Sequence, residues 1–433
     1  MNQNLYYKGE PLNNFFIENE ILYMCNLLRK KCIKDSEIVI CKSDSQLGVY
    51  IQWEACLRMN LIPLFIYKET TENTIAEFRK IIAIRAIIEY KNNEIYLFSF
   101  DEQICETNVS DKLETGSVIH ITSGSTGCPK LVLRTKHQME EELNRYANFL
   151  EITDNDVVFP LVPLNHSFGF ISGMLLSKKF GLDLILYDNL IPRNILNISN
   201  KSKVSIMLGL PYFYKKMIGL PERYKFNSEL RYIISSGGPI EKGIQKQFFE
   251  RFDKKLYQQY GSTETGSLSI GYSETNSGYV GKPFDGIGVN VDEVKRCIYV
   301  DTPKTIGAYI TKNGIQRLDE SIYKMGDIGR VIDSGGIELL GRDDDIIIIN
   351  GNKIDKKLVI RYIKKFNYIE EVDVFLRNSH NIEELICEYI SSIELDKSDI
   401  ISFLSKYLSS YEIPKIFKRV KQLSNKKKIN WKT

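Results

Sequence analysis

The 433-residue chain is 43% hydrophobic and 26% charged, which is enough for a large core together with a small second domain. Its formal net charge of +3 gives no general electrostatic case for a nucleic acid or a membrane surface as partner. Its eight cysteines are scattered without a C-x-x-C pair, which argues against a zinc site and a disulfide framework and fits reduced thiols.

The hydropathy of the chain leads to one further expectation. The first residues lack the basic and apolar regions of a signal peptide. No apolar stretch approaches the roughly 20 residues that a membrane span requires. We therefore expect a cytoplasmic protein with no membrane span.

Strand-like and helical patterns alternate through most of the chain. In chain order, they predict the following elements: strand 37–41, helix 50–59, strand 62–66, helix 74–84, strands 117–122 and 131–133, helix 135–150, and buried strands 157–162, 182–187, 204–208 and 231–234. The long helix begins at Thr135-Lys-His-Gln138, which has the spacing of a capping box. Such alternation indicates an α/β fold of layered, largely parallel sheets.

The pattern changes twice toward the C-terminus. From Tyr279 onward, short strands and glycine turns predict a β-rich, more antiparallel subdomain. After Arg342 the pattern predicts a small α+β unit with these elements: strand 345–350, helix 356–365, strands 372–376 and 385–390, and helix 400–408. Because no low-complexity linker separates the two parts, we predict domains at 1–343 and 344–433 that are joined by a hinge.

A loop rich in glycine and hydroxyl residues lies between the strands predicted at 117–122 and 131–133. Glycines allow successive backbone N–H groups to turn inward around an anion, hydroxyls add donors, and a lysine supplies a point charge. The residues concerned are Thr122, Ser123, Gly124, Ser125, Thr126, Gly127 and Lys130. The stretch is not a P-loop, because proline precedes the lysine and a strand follows it. We interpret it as a polyphosphate-binding loop, with an ordinary hairpin loop as the alternative.

Three further blocks follow this loop along the chain. They are Tyr260-Gly261-Ser262-Thr263-Glu264, Met325-Gly326-Asp327 and Gly341-Arg342-Asp343-Asp344. Together with the loop, they resemble the ordered motifs of the adenylate-forming superfamily, which includes acyl- and aryl-CoA synthetases, nonribosomal peptide adenylation domains and luciferases. The resemblance covers the chain from about the loop to the C-terminus.

The resemblance implies a reaction and its cofactors. Such enzymes join a carboxylate to the α-phosphate of ATP with Mg²⁺, release pyrophosphate, and pass the acyl group to the pantetheine thiol of CoA or of an acyl carrier protein. We therefore expect an AMP-forming acid–thiol ligase with an adenylating domain at 1–343 and a mobile lid domain at 344–433. A luciferase-like oxygenase and a non-catalytic nucleotide-binding regulator are the alternatives. A nicotinamide dehydrogenase is disfavoured, because no G-x-G-x-x-G follows an early strand.

The resemblance also assigns the ATP site residue by residue. The loop would hold the departing phosphates, Thr263 would contact the α-phosphate, and Glu264 would bind Mg²⁺ as a hard oxygen donor. Tyr260 would stack on the adenine, Asp327 would accept from the ribose hydroxyls, and Arg342 would donate to the same region. The other members of the adenosine site would be Gly237, Gly238, Pro239, Gly261 and Ser262.

A C-terminal lysine completes the expected catalytic set, which is Lys428, His166, Thr263 and Glu264. The family motif places this lysine between a glycine and an isoleucine. Lys428 before Ile429 is the best match, although Lys427 stands where the glycine would be. Lys426 and Lys427 are alternatives, and a basic tail without a catalytic role is the simpler explanation.

The resemblance further implies that the C-terminal domain rotates between two half-reactions. Asp344 matches the hinge residue, and such a rotation lets one cleft serve both steps. Gly351 and Lys353 match positions beside the pantetheine arm. Ile348 departs from the pattern, because many relatives carry lysine there.

Residues 165–169, Asn-His-Ser-Phe-Gly, match the block that borders the carboxylate pocket. The predicted pocket consists of His166, Phe168, Gly169, Leu210, Tyr212 and Gly237. A structural role is the alternative for His166. Amino-acid-activating relatives place an aspartate in this block, whereas residues 165–170 contain no acid. Because a buried ammonium without a counter-ion is costly, we expect a small aromatic or fatty acid rather than an α-amino acid, with aromatic acids slightly favoured.

The end of the chain is basic. Residues 415–433 contain no acidic residue and carry Lys415, Lys418, Arg419, Lys421, Lys426, Lys427, Lys428 and Lys432. Such a strip suits an anionic thiol donor, either CoA or the acidic surface of an acyl carrier protein. A solvated tail is the alternative. No nucleic acid partner is expected.

Overall fold

In the computed structural model, the described residues are 3–100, 113–122, 129–188, 190–276, 278–318, 322–342, 346–379, 382–421 and 423. The chain forms two compact units. The first comprises Met1–Lys68, Arg79–Ile121 and Leu131–Asp343. The second comprises Glu69–Phe78, Thr122–Lys130 and Asp344–Thr433.

Both units contain helices, and the first also contains a π-helical segment, Phe168–Leu175. The α-helices of the described residues are α1 (Asn14–Lys30), α2 (Gln46–Arg58), α3 (Glu72–Ile81), α4 (Lys136–Leu150), α5 (Leu176–Phe180), α6 (Pro192–Lys201), α7 (Pro211–Ile218), α8 (Ile244–Phe252), α9 (Lys356–Ile363) and α10 (Lys397–Leu404). None of them is long and apolar enough to cross a membrane.

The strands of the described residues fall into two groups along the chain. The first group is β1 (Leu5–Tyr7), β2 (Glu10–Pro11), β3 (Ile38–Ser43), β4 (Ile62–Ile66), β5 (Ile84–Lys91), β6 (Glu94–Ser99), β7 (Val118–Thr122), β8 (Lys130–Arg134), β9 (Val157–Pro160), β10 (Asp183–Leu186), β11 (Ile206–Gly209), β12 (Tyr232–Ser235), β13 (Leu256–Ser262) and β14 (Gly266–Gly271). The second group is β15 (Tyr279–Pro283), β16 (Gly288–Val291), β17 (Cys297–Asp301), β18 (Ala308–Thr311), β19 (Gly314–Arg317), β20 (Tyr323–Val331), β21 (Ile337–Arg342), β22 (Ile346–Ile349), β23 (Asn352–Asp355), β24 (Glu371–Ser379), β25 (Ile382–Ile390) and β26 (Ile416–Arg419).

The larger sheet of the first unit has 13 strands in the order β16-β17-β20-β21-β15-β14-β13-β12-β11-β9-β10-β1-β2. Its neighbouring strands from β1 through β10, β9, β11 and β12 to β13 are all parallel. The strands on the other side of β13 are antiparallel. Residues 165–169, 210–212, 236–239 and 260–264 of the predicted site lie at the ends of strands of the parallel half, whereas Asp327 and Arg342 lie on the antiparallel strands β20 and β21.

The smaller sheet has eight strands in the order β19-β18-β8-β7-β4-β3-β5-β6. The strands at its centre are parallel. Strand β3 pairs with both β4 and β5, and β4 pairs on its other side with β7. Its edges are antiparallel, where β6 pairs with β5 and β18 pairs with β8 and β19. The main core joins side chains of both sheets, among them Phe65 of β4 and Leu208 of β11.

The predicted α/β fold is confirmed, with parallel pairing in one half of the larger sheet and at the centre of the smaller sheet. The strand predicted at 62–66 has those bounds, and the capping box at Thr135 is formed, with both of its hydrogen bonds to Gln138. Among strands β15 to β21, β18 and β19 join the smaller sheet and the others continue the larger one with antiparallel pairing. The prediction contained no helix before residue 50 and was wrong there, because α1 begins after Asn13, whose side chain accepts the N–H of Phe15.

A buried ion pair lies beside the turn between β13 and β14. Arg134, at the end of β8, is fully buried, and its NH2 donates to Glu142 Oε2 at 2.8 Å. Its NH1 donates to the carbonyl oxygen of Thr263 at 3.0 Å. Glu142 Oε1 accepts from the backbone N–H and the hydroxyl of Ser267, both at 2.8 Å. Charge-assisted hydrogen bonds therefore join β8 and α4 to both sides of this turn.

The C-terminal part of the second unit has a core of its own. Its strands form the sheet β24-β25-β26 and the hairpin β22-β23. Its core side chains come from α9, α10 and these strands, and include Ile354, Val359, Ile363, Val374, Leu385, Ile400 and Leu404. The predicted helices at 356–365 and 400–408 correspond to α9 and α10 with shifted ends.

Glu412 is a partly buried carboxyl group of this unit. Its Oε2 accepts the backbone N–H of Ser409 at 2.8 Å. Burial raises the pKa of Glu412 to about 7; the hydrogen bonds from Ser409 lower it in part, and the charge of Asp355 raises it. Its carboxyl group therefore titrates near neutral pH.

Truncation of Glu142 tests the importance of the buried ion pair. Glu142→Ala would leave the Arg134 charge buried without its partner, so we expect the free energy of unfolding to fall by about 3–5 kcal/mol. The matched control is Glu140→Ala on the same helix, whose pair with Lys136 is exposed and should contribute no more than about 0.5 kcal/mol. Chemical denaturation measures both values. Equal, small losses in the two variants would contradict the prediction.

The titration of Glu412 predicts a pH-dependent stability. Its pKa is about 7 in the folded chain against the ordinary 4.5 of a glutamate side chain, so the folded chain binds more protons between these pH values. Its contribution to stability therefore falls as the pH rises from 4.5 to 7 and is constant above that. Glu412→Gln should abolish this pH-dependent change in the free energy of unfolding, which amounts to up to about 3 kcal/mol.

Denaturation of the wild type and of Glu412→Gln at about pH 5 and about pH 8 measures this difference. Glu394→Gln, at an exposed position of the same unit, is the control and should keep the wild-type pH dependence. The same pH dependence in the wild type and in Glu412→Gln would show the prediction to be wrong.

Candidate functional site

Four predicted site segments follow neighbouring parallel strands of the larger sheet. The strands lie in the order β13-β12-β11-β9. At their carboxyl ends are residues 260–264, 236–239, 210–212 and 165–169, in the same order. The carboxyl ends of parallel strands meet at one edge, which is where open α/β sheets bind ligands. The fold therefore brings the four segments to one edge of the sheet.

His166 lies in the turn between β9 and the π-helical segment. Its Nδ1 accepts the backbone N–H of Phe168 at 3.3 Å, so a neutral ring carries its proton on Nε2. Asn165 holds the turn by donating from Nδ2 to a backbone carbonyl of β4 at 3.0 Å. A Cβ at Gly169 would lie 2.4 Å from the carbonyl oxygen of Pro163, so the turn packs closely on the chain after β9. The buried Phe168 and Gly169 thus fix the turn that carries His166.

His120 of β7 is a buried histidine that the sequence analysis did not identify. Its ring packs against Phe65 and Phe170, with centroid distances of 5.8 and 5.3 Å. Burial, followed by the charges of His166 and Arg134, lowers the pKa of His120 to about 3. The ring is therefore neutral at physiological pH.

Leu210 and Gly237 adjoin where β11 and β12 end. The N–H of Ser236 donates to the carbonyl of Gly209 at 3.1 Å, which continues the parallel pairing beyond the strands. Gly237 has φ +81°, and a Cβ there would lie 3.0 Å from Leu210 Cδ2, so conformation and space both favour glycine. Tyr212, on α7, is 42% exposed. Of these three predicted pocket residues, Leu210 and Gly237 are thus neighbours, whereas Tyr212 lies at the surface.

The glycines of the predicted adenosine site occupy tight positions. Gly261 lies at a bulge between β13 and β14, where a Cβ would be 2.2 Å from the carbonyl oxygen of Gly266. The carbonyl of Gly238 accepts from Gln258 Nε2 at 3.5 Å, and Pro239 beside it is exposed. These residues shape the backbone of the two segments.

A hydrogen-bonded triad joins three separated motifs. The hydroxyl of Tyr260 donates to Asp327 Oδ2 at 2.9 Å, and Arg342 NH1 donates to Asp327 Oδ1 at 2.8 Å. Asp327 of β20 lies directly opposite Arg342 of β21, which holds the ion pair in register. Burial, followed by the charge of Asp327, raises the pKa of Tyr260, so its hydroxyl stays protonated. Both oxygens of the Asp327 carboxylate are therefore fixed in direction.

Thr263 and Glu264 lie in the three-residue loop between β13 and β14. The N–H of Ser262 donates to Thr265 Oγ1 and the N–H of Thr265 donates to Ser262 Oγ, both at 3.2 Å. Gly266 ends the loop with φ +73°. Thr263 and Glu264 are both buried. The loop therefore holds these two side chains in defined positions.

Two other segments of the first unit contact this loop. Ser167 Oγ lies 3.1 Å from Thr263 Oγ1, which joins the His166 turn to the loop. The hydroxyl of Tyr309 on β18 donates to Glu264 Oε1 at 3.0 Å. The N–H of Gly307 donates to the carbonyl oxygen of Glu264 at 2.7 Å. Both residues assigned to the phosphates and the metal are thus held by neighbours.

The sequence motifs did not predict the roles of Arg134, Glu142, Gly307 and Tyr309. A signal existed for Glu142, which falls on the buried face of an amphipathic helix, where a carboxylate needs a partner. Arg134, the charged end of an apolar strand, was the corresponding signal for that partner. Gly307 and Tyr309 gave no local signal, because their contacts depend on the long-range pairing of β18 with β8.

Other predicted residues lie at the ends of strands or beyond the described part of the chain. Thr122 ends β7 and Lys130 begins β8. Asn350 and Gly351 form the two-residue turn of the β22-β23 hairpin with φ +48° and +82°, and Lys353 follows in β23. The hairpin turn itself thus accounts for the glycine. Outside the described residues are Ser123, Gly124, Ser125, Thr126, Gly127, Asp344, Lys426, Lys427 and Lys428.

Glu264 offers a hard oxygen ligand to a cation. Among the residues that the structure describes, no group of three or more His, Cys, Asp or Glu side chains could hold a metal ion by itself. Mg²⁺ commonly keeps several waters and binds one or two carboxylates together with substrate phosphates. The single buried carboxylate of Glu264 therefore fits a Mg²⁺ ion that would be bound together with the phosphates of ATP.

Comparisons with known proteins identify the family of the chain. The family model for AMP-binding enzymes matches residues 18–307, well over half of the chain. A 3,4-dihydroxybenzoate–aryl-carrier protein ligase of Bacillus anthracis is 23% identical over 367 residues, covering 84% of this chain and 82% of that protein. A 2-succinylbenzoate–CoA ligase of Listeria innocua is 23% identical over 406 residues, covering 88% and 85%.

Solved structures have the same fold. An o-succinylbenzoate CoA synthetase from Bacillus subtilis has a TM-score of 0.80 at 16% identity, covering 97% of this chain and 92% of that chain. An amide bond synthetase from Marinactinospora thermotolerans has a TM-score of 0.77 at 15% identity, covering 98% and 94%. With the family match over most of the first unit, these findings show that the chain belongs to the AMP-binding enzymes of the adenylate-forming superfamily.

Proposed function

We propose that this protein activates a carboxylic acid with ATP to an acyl-adenylate and then transfers the acyl group to a pantetheine thiol. The observation that carries the proposal is that four separated motifs are joined by hydrogen bonds. Ser167 contacts Thr263, Tyr260 contacts Asp327, and Asp327 pairs with Arg342. Such an arrangement is expected of a site that holds ATP, and it supports an enzyme over a protein that kept only the sequence motifs.

The first half-reaction links a carboxylate oxygen to the α-phosphorus of ATP and breaks the bond from that phosphorus to the bridging oxygen, so that pyrophosphate leaves. Thr263 would donate to an α-phosphate oxygen, and the glycine-rich loop with Lys130 would hold the leaving phosphates. Asp327 would fix the ribose and Tyr260 the base, so that attack is in line. Mg²⁺ at Glu264 would neutralise phosphate charge. Lys428 is the proposed lysine of this step.

We propose an aromatic or fatty acid as the substrate, with aromatic acids favoured. Residues 165–169 offer no carboxylate for an α-ammonium group, which would be costly to bury unpaired. The buried Phe168 beside His166 suits an apolar acyl group. The names of two relatives specify a dihydroxybenzoate and a succinylbenzoate, which are both aromatic acids.

In the second half-reaction a thiol sulfur attacks the acyl carbon, the thiol proton is lost, and AMP leaves. We propose that the C-terminal domain turns about Asp344 for this step, with Gly351 and Lys353 beside the pantetheine. The relatives include an aryl-carrier protein ligase and CoA ligases, so both acceptors stay open. The exposed Lys418 and Lys421 offer positive charge to either one.

ATP–pyrophosphate exchange with a panel of carboxylic acids tests the first half-reaction. We expect exchange with an aromatic or a fatty acid and none with α-amino acids. Glu264→Gln should lower the exchange rate by about 100-fold or more, because it removes the carboxylate that would bind the Mg²⁺ ion of ATP. The matched control is Glu274→Gln, at an exposed position after β14, which should exchange like the wild type.

Formation of ADP alone, or nucleotide binding without exchange for any acid, would refute the adenylation proposal. Light emission or acid-dependent oxygen uptake would favour the luciferase-like alternative.

The salt dependence of thiol transfer tests the role of the basic strip. We expect transfer to slow steeply between low and physiological salt, unlike exchange, because steering by exposed charges is screened over about 8–10 Å. Lys418→Glu with Lys421→Glu should reproduce this loss at low salt, while Lys364→Glu, exposed in the same unit, should not. Rates with CoA and with carrier protein, measured from a preformed acyl-adenylate, would identify the acceptor. If the transfer rate changes neither with salt nor with the charge reversals at Lys418 and Lys421, the basic strip has no role in this step.

A further inference from the structure

The chain around β18 is bonded to both the backbone and the side chain of Glu264. The N–H of Gly307 donates to the Glu264 carbonyl oxygen at 2.7 Å. The hydroxyl of Tyr309, two residues further on, donates to Glu264 Oε1 at 3.0 Å. Glu264 itself is 8% exposed. One short segment therefore fixes the position of this residue and the orientation of its carboxylate.

Glycine at position 307 makes this close approach possible. A Cβ there would lie 2.5 Å from the carbonyl oxygen of Leu133 and 2.9 Å from Cδ of Arg134. Both neighbours belong to the buried strand β8, which cannot shift without disturbing close-packed surroundings. The absence of a side chain thus brings β18 near enough for Tyr309 to reach Glu264.

The Tyr309 hydroxyl belongs to a directed chain of hydrogen bonds. An ionised carboxylate only accepts, so the single hydroxyl proton of Tyr309 points to Glu264. The hydroxyl of Tyr323 lies 3.2 Å from that of Tyr309, and it must donate, since Tyr309 has no second proton. Bonds in such a chain polarise and strengthen one another.

We infer that Tyr309 is a positioning residue for the cation site, because it occupies Oε1 of Glu264 and leaves Oε2 to face the cation. The inference rests on the proposed function, since it takes Glu264 as the Mg²⁺ ligand. The last torsion of a glutamate side chain is broad, so an untethered carboxylate would sample many orientations. Partners that orient a metal ligand typically contribute about 10- to 100-fold in metal affinity. Tyr323 acts one step further out, through Tyr309.

The Mg²⁺ dependence of pyrophosphate exchange in Tyr309→Phe tests this inference. We expect the Mg²⁺ concentration for half-maximal exchange to rise about tenfold, while the rate at saturating Mg²⁺ stays within about threefold of the wild type. Tyr323→Phe should shift the same concentration less. The matched control is Tyr272→Phe, which removes a phenol-to-carboxylate bond to Glu274 of 2.9 Å at the surface and should change nothing.

A binding measurement on the full chain separates the metal site from turnover. Mn²⁺ titrated in the presence of a non-hydrolysable ATP analogue can be followed by electron paramagnetic resonance. Tyr309→Phe should bind Mn²⁺ about tenfold more weakly at an unchanged thermal midpoint, whereas Tyr272→Phe should bind like the wild type.

Each outcome decides the inference. A loss of rate with unchanged Mg²⁺ and Mn²⁺ dependence would overturn it, as would a variant indistinguishable from the wild type. If Tyr309→Phe does not fold, Tyr323→Phe decides by the same criterion. A wild type that binds Mn²⁺ with nucleotide but exchanges no pyrophosphate would refute the proposed function, and the Mn²⁺ comparison would still decide the role of Tyr309. A wild type that binds no metal would refute the inference itself.

Discussion

A buried charge is tolerated only where partners satisfy it, and the Arg134–Glu142 pair finds those partners in the loop that carries the proposed catalytic residues. Arg134 holds the carbonyl of Thr263 on one side of the loop, and Glu142 holds Ser267 on the other. A Cβ at Gly266 would lie 2.3 Å from Glu142 Oε2, so the backbone fits the ion pair closely. The loop cannot move away without breaking the hydrogen bonds that join this pair to Thr263 and Ser267, which would leave buried donors and acceptors unsatisfied. The same hydrogen bonds therefore satisfy the ion pair and position the loop.

This constraint extends along β13 and α4. Gln259 donates to Ser267 Oγ at 2.8 Å and accepts from the hydroxyl of Tyr146 on α4 at 2.9 Å. On the far side of the loop, β18 holds Glu264 through Gly307 and Tyr309. Dipoles and charges that are fixed before the reaction need no reorganisation when charge develops in the transition state. The polar network thus gives the loop the rigidity that the proposed adenylation would require.

Features that depend on residues close together in the sequence could be predicted, whereas features that depend on long-range contacts could not. The capping box at Thr135 and the strand at 62–66 depend on neighbouring residues, and both were predicted correctly. Helix α1 was missed, because its exposed face carries apolar side chains such as Phe15, which obscure the helical period. The motif residues were found through their resemblance to a family, whereas Tyr309 was not, because it reaches Glu264 only when β18 pairs with β8.

The two proposed half-reactions are supported by different features of the molecule. The described residues assigned to adenosine, the α-phosphate and the metal lie in the first unit, where hydrogen bonds connect them. For thiol transfer, Gly351 carries less weight than the motif suggested, since an Asn-Gly hairpin turn needs a positive φ at both residues with or without a thiol. The choice of acceptor must then depend on features that a hairpin does not require. Exposed charge is such a feature, because Lys418 on β26 and Lys421 after it support no turn and no core. The surface of the C-terminal part, more than its hairpin, is where a carrier protein and CoA would be told apart.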